Sequence, residues 1–327
     1  MKKEYLSGIC YALLFAVPAY ALGRYFPIVG GPVFGILLGM LFARVRRAKS
    51  LESGIQFTGK KILQYAIILL GFEMNLFHVM EVGAQSLYVM IFTLLAAFGA
   101  ALLMGKVLGL GRDMTALVGA GTAICGGSAI AAVAPVIGAK DRDVVISIAT
   151  IFLFNVLAVF IFPFLGHTYG MTDMGFGMWA GTAINDTSSV VAAGYAYSAE
   201  AGAYATIVKL TRTLMIVPVC LFFALMMMRG AQGSAAGFSL KRIFPMFVLY
   251  FIVACLINTS GILPAAAAHT LGTLGKFAIV LAMSALGLNT DLAALIKNGL
   301  RPLALGMVCW IAVAGTSLLV QHALGLL

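Results

Sequence analysis

Lys209 and Arg212 lie one helical turn apart inside residues 202–228, a run otherwise apolar enough to read as a membrane span. Cations in hydrocarbon are costly, so a pair like this should face a partner, a cavity or a substrate. Just upstream, GTAINDTSSVV (181–191) carries Asp186 among Thr182, Asn185, Thr187, Ser188 and Ser189. Asp186 could neutralise one of the two cations or carry a proton, but one acid cannot balance both. Lys276, within residues 270–290, adds a third basic group. Three cations against one acid favour an anion as the cargo. The competing reading is a cation/proton antiporter in which Asp186 binds Na⁺ or H⁺ and Lys209 or Lys276 is its charge partner.

A second kind of chemistry comes from backbone. In GAGTAICGGSAIAAVAPVIGA (119–139), Gly126 and Gly127 are flanked by Thr122, Cys125 and Ser128, with Pro135 beyond. Glycine costs a helix about 1 kcal/mol relative to alanine and lets it unwind. Unwound backbone at membrane depth survives only where protein buries it or a cavity receives it. The half-helix that follows then presents N–H groups and a positive dipole end to an anion. AMSALGLNTDL (282–292), with Ser284, Gly287, Asn289 and Thr290 near the end of its span, is a second candidate break; the alternative is a helix C-terminus entering a loop.

The elements that must hold these residues are membrane helices. The chain is 62% hydrophobic and 10% charged, against about 25% charged in soluble proteins. Apolar stretches fall at 8–26, 28–43, 55–77, 84–105, 114–138, 144–165, 174–196, 203–228, 243–260, 270–290 and 302–324. Each is near the length that crosses about 30 Å of hydrocarbon. Segment 28–43 is short and glycine-rich, so the expectation is an all-α polytopic protein of ten or eleven transmembrane helices in one domain over 1–327. A net charge of +10 needs no nucleic acid. With the N-terminus inside, most basic residues fall on cytoplasmic loops; Arg24, Lys140 and Arg142 fall outside, and Lys209, Arg212 and Lys276 within spans. The N-terminal stretch resembles a signal peptide ending at Ala19-Tyr20-Ala21, but removing it would upset that charge pattern.

Two internal similarities stand out. Residues 69–83 (LLGFEMNLFHVMEVG) resemble 285–299 (ALGLNTDLAALIKNG), and 121–133 (GTAICGGSAIAAV) resemble 181–193 (GTAINDTSSVVAA). In the eleven-span topology the first pair runs in opposite directions, as an inverted repeat requires, and the second pair in the same direction. Five cysteines are scattered singly and four histidines have no metal spacing. No GxSG, GxGD or HExxH pattern supports an intramembrane enzyme, and no cofactor is expected.

Taken together, GTAICGGSAIAAVAPV, WAGTAINDTSSVVAAG and ATIVKLTRTLMIVP resemble the YeiH-like sulfate exporter family of bacterial inner-membrane proteins. The resemblance extends over the whole chain, including LLGFEMNL and LGLNTDL. The family pattern is expected to carry a histidine before the aspartate, where this chain has Asn185. The resemblance implies a fold related to the sodium/proton antiporter and bile-acid symporter superfamily, with inverted five-helix repeats and two discontinuous crossing helices. The repeats would cover about 28–165 and 174–324, with 8–26 as an extra N-terminal helix. The first break would be Cys125-Gly126-Gly127-Ser128 and the second would lie in 282–290. The reading is therefore alternating-access transport of a small oxyanion, sulfate or a sulfonate, with H⁺ or Na⁺ as coupling ion, to which the resemblance adds export of sulfate. The basic loops put the N-terminus in the cytoplasm, and a homodimer is left open. The candidate binding residues are Thr122, Cys125, Gly126, Gly127, Ser128, Asn185, Asp186, Thr187, Ser188, Lys209, Arg212, Lys276 and Asn289.

Overall fold

The computed structural model describes residues 3–26, 29–45, 47–229, 245–290 and 299–326. Lys2, Arg46, Lys241, Arg242, Asp291 and Lys297 lie outside the described residues, as does most of the second member of the 69–83/285–299 similarity. The described residues form helices and no strands. They are α1 (Lys3–Tyr25), α2 (Gly31–Leu41), α3 (Lys49–Phe57), α4 (Leu63–Gly71), α5 (Leu76–Val107), α6 (Arg112–Ala123), α7 (Gly127–Ile137) and α8 (Asp141–Thr168). There follow α9 (Asp173–Ala183), α10 (Thr187–Tyr197), α11 (Ala199–Leu214), α12 (Ile216–Arg229), α13 (Met246–Thr259), α14 (Ala265–Leu288) and α15 (Leu300–Leu324).

Among the described residues, six segments are long and apolar enough to cross a bilayer: Tyr5–Tyr25, Leu76–Val107, Asp141–Thr168, Ala199–Met226, Ala265–Leu288 and Leu300–Leu324. Their outer faces are greasy. On α5 alone Tyr88, Ile91, Phe92, Leu95, Leu102 and Leu103 are exposed, a surface suited to lipid rather than to water. The chain is a polytopic helical membrane protein.

Two segments that look like spans turn back instead. At the base of α9 and α10, the Tyr197 hydroxyl donates to Met171 O, Ser198 Oγ donates to Asp173 Oδ1, and the Phe176 and Tyr197 rings stack 4.0 Å apart. Both ends of 173–197 are therefore at the same end of the molecule. The segment is a re-entrant hairpin, not a crossing. α11 fills the space between its arms, close to Gly177 and Gly181 of α9 and to Gly194 of α10. A Cβ at Gly181 would sit 2.6 Å from Val208, so only glycine allows that approach.

The same holds for α6 and α7. Met114, at the start of α6, receives a bond from Ser147 near the start of α8, and a Cβ at Gly121 would meet both Ile130 of α7 and Ile151 of α8. Residues 112 and 141 thus share one end, and 112–137 is a hairpin with its tip at Ile124–Gly126. Arms of 11 and 12 residues rise about 1.5 Å per residue, so each tip reaches about the middle of the hydrocarbon. α8 has 28 residues and joins the base of the first hairpin to the base of the second. The hairpins enter from opposite ends.

This corrects four expectations. Residues 114–138 and 174–196 do not cross, and their tips, the 121–133 and 181–193 motifs, run in opposite directions rather than the same one. Lys140 and Arg142 lie at the end that also carries Lys106 and Arg112, because the first hairpin returns to its own side. The second discontinuity is at Ile184–Asp186. α14 runs unbroken from Ala265 to Leu288, since Gly287 serves its packing: a Cβ there would sit 2.3 Å from Ile36 O on α2.

Candidate functional site

The two tips meet inside the molecule. A Cβ on Gly126 would lie 3.5 Å from the Asp186 Cβ. The first tip is made by Gly126, at φ 67° and ψ −130° as N-cap of α7, a backbone region almost confined to glycine. The second is made by three non-glycine residues. Ile184 leaves α9 in an extended conformation, and Asp186 caps α10 by accepting from Ser188 N at 3.0 Å and from the Ser188 hydroxyl. The NDTSS sequence is therefore both a capping sequence and part of a mid-membrane tip.

Lys209 and Arg212, on α11, are fully buried and hold the tips together. Lys209 Nζ donates to Ile124 O at 2.7 Å and to Ile184 O at 3.0 Å, one carbonyl from each tip. Arg212 donates through Nε to Ala123 O at 2.8 Å, through Nη2 to Thr122 O at 2.5 Å and through Nη1 to Ile184 O at 3.3 Å. These carbonyls are the orphan acceptors at the C-terminal ends of α6 and α9. Among the described residues neither cation forms an ion pair with Asp186, so the bridge considered from sequence is replaced by carbonyl capping. Such charge-assisted bonds are each worth about 1.5–3 kcal/mol.

The tips are asymmetric in exposure. Thr122, Cys125, Asn185 and Ser188 are buried, whereas Gly127, Asp186 and Thr187 are half-buried and Ser128 is exposed. The negative helix ends face the fixed cations, and the N-terminal ends of α7 and α10 are the accessible ones. α10 is capped by a carboxylate, while α7 has no side-chain cap.

The family described as conserved hypothetical protein 698 matches residues 7–306. A UPF0324 membrane protein of Streptococcus pyogenes serotype M6 is 49% identical over 332 residues, covering 98% of each chain. The chain belongs to the UPF0324 family. UPF0324 membrane proteins of Fusobacterium nucleatum (44% identical, 98% of this chain and 99% of the relative) and of Clostridium tetani (43% identical, 99% and 98%) are similarly close.

In this UPF0324 chain, two residues singled out from sequence lie elsewhere. Lys276 pairs with Glu73 at 3.1 Å, and His269 approaches the same carboxylate at 3.2 Å. Lys276 also borders a cavity of about 240 Å³ with Arg24, Tyr20 and Tyr195. Asn289 caps α14 and accepts from Arg47 Nη2 at 2.9 Å, while Arg47 Nη1 donates to Leu288 O. Neither contacts the tips.

One tip residue escapes sequence reasoning. Asn155, buried on α8, accepts through Oδ1 from Asn185 N at 3.2 Å and Asp186 N at 3.0 Å. Its Nδ2 faces the other tip, 3.6 Å from where a Gly126 Cβ would be. The available signal was one amide in the middle of IFLFNVLAVFIF, where an unpaired polar group is expensive.

Proposed function

We propose that this UPF0324 protein is a secondary transporter that moves a small oxyanion, sulfate or a sulfonate, by alternating access between its two hairpins. The supporting observation is the charge balance at the tips. Two helix C-termini contribute roughly half a negative charge each and two N-termini roughly half a positive charge each. Added to Lys209, Arg212 and Asp186, they leave about one net positive charge at mid-membrane, on the side of an anion. The open groups suit one: Gly127 and Ser128 at the uncapped start of α7, and Thr187 beside it. Asp186 next to that opening is the natural proton acceptor for coupling. In this reading Lys209 and Arg212 shape the site and set its potential instead of gripping the substrate directly.

The rest of the reading follows from charge and topology. The end bearing Lys106, Arg112, Lys140 and Arg142 faces the bacterial cytoplasm, with the N-terminus on that side. The protein acts in the inner membrane as a transporter and not as an enzyme, and the five-helix repeats centre on the two opposed hairpins. A homodimer is compatible with it.

The test is thermal stability of the purified protein against sulfate, sulfonates and sodium, followed by flux in liposomes. A ligand of the folded state raises the melting temperature through RT ln(1 + [L]/Kd). Stabilisation and uptake specific to oxyanions are expected. Stabilisation by sodium alone, lost in Asp186→Asn, would hand the function to the cation/proton antiporter.

A further inference from the structure

We infer that the two tips build a cation-binding site and that the ammonium of Lys209 is its permanent occupant, in the place where a broken-helix transporter would hold a free alkali cation. In such proteins unwound carbonyls and half-helix C-termini coordinate the coupling sodium. Here Ile124 O and Ile184 O, one from each tip, converge on Lys209 Nζ at 2.7 and 3.0 Å. Lys209 is wholly buried, and no carboxylate among the described residues lies within ion-pairing distance of it. Carbonyl oxygens are its partners, as they would be for a hard metal cation. An ammonium is a compact point charge on a flexible stem, so it fits such a site better than a planar guanidinium.

A second observation points to a cation site larger than the lysine uses. Thr122 Oγ1 and Asn185 Oδ1, on the same two tips, are buried with no hydrogen-bond partner. Buried oxygens of this kind ordinarily find a donor or an ion. Arg212 satisfies Thr122 O, Ala123 O and again Ile184 O, so the tips stay anchored if the lysine is removed. What removal creates is a pair of converging carbonyls, with two further partnerless oxygens on the same two tips, in a region that has lost one positive charge.

Within the transport reading, on which the word coupling rests, the charge that a sodium ion would bring is here attached to the chain, and the cycle is independent of sodium. The binding claim stands without flux. Melting temperatures are compared in sodium chloride and choline chloride at equal ionic strength, with sulfate binding measured on the same samples. Wild type should show no difference between the two salts. Lys209→Ala should melt higher in sodium, by an amount that saturates with concentration and is reproduced by no choline level. If the alanine variant fails to fold in both salts, Lys209→Gln replaces it, keeping a donor for one carbonyl and freeing the other. Wild type stabilised by sodium, or a folded Lys209 variant indifferent to it, overturns the inference. Wild type that ignores sulfate while Lys209→Ala gains a sodium response would sink the anion reading and leave this one standing.

Discussion

At Gly126 the backbone takes φ 67° and ψ −130°, where a side chain costs about 1–3 kcal/mol. Gly127 has an ordinary backbone and open space: an added Cβ would meet only an Ile148 methyl, at 3.9 Å. Gly126→Ala should therefore lower stability by about 1–3 kcal/mol, and Gly127→Ala by little, as read from denaturation midpoints. Equal effects would mean that the glycine pair serves packing alone. Asn155→Leu should leave two tip amides without an acceptor and cost about 1–3 kcal/mol for each. Asn155→Asp keeps both bonds and should retain more stability than Asn155→Leu. The Gly-Gly pair was legible because glycine in an apolar stretch has few reasons to be there. Lys209 and Arg212 were legible as buried cations, but their partners are backbone carbonyls, which carry no letter in a sequence. Asn155 was hidden for the opposite cause: its letter is visible, but the amides it holds are 30 and 31 residues away.

Two half-helices of about 11 residues and their tip have the same length and hydropathy as one tilted crossing, which is why 114–138 and 174–196 read as spans. What distinguishes them is which ends meet, and that is a tertiary fact. One trace was present in the sequence: Lys140 and Arg142, with Arg24, were exceptions to an otherwise one-sided basic pattern, and the hairpin removes two of the three. Single cysteines introduced by Leu110→Cys and Lys140→Cys should react with a membrane-impermeant thiol reagent from one side. Tyr169→Cys and Glu200→Cys should react from the other. Lys140→Cys labelling from the side opposite to Leu110→Cys would restore 112–137 as a crossing. At the base of the second hairpin, Tyr197→Phe removes the bond to Met171 O and should cost about 1 kcal/mol. The second break expected at 282–290 failed because Ser284 and Gly287 mimic a break in composition alone. Ser284 bonds Val280 O within its helix, and Gly287 admits the α2 backbone.

Across the whole molecule, close glycine contacts join helices far apart in the chain, as between α2 and α14. A Cβ at Gly39 would lie 2.4 Å from Ser284 O and 2.7 Å from Leu288 N, both backbone atoms that cannot swing aside. Gly39→Leu should separate α2 from α14 and destabilise the protein by about 1–3 kcal/mol, visible as a lower melting temperature with helix content retained. Helical class and approximate element lengths were legible because hydrocarbon thickness dictates both; the arrangement of helices was not, since glycine contacts of this kind pair residues some 250 positions apart. The opposed hairpins have a mechanical consequence. Each is hung from its own wall, with positive-φ glycines at Gly109 and Gly138 flanking the first and Gly170 preceding the second. In the proposed alternating-access cycle, either would swing back like a door without dragging any loop through the bilayer. The bonds of Lys209, like those of Arg212 beside it, belong to different doors, so drawing one aside forfeits bonds that the other door cannot replace, and two neighbouring side chains on one helix latch both.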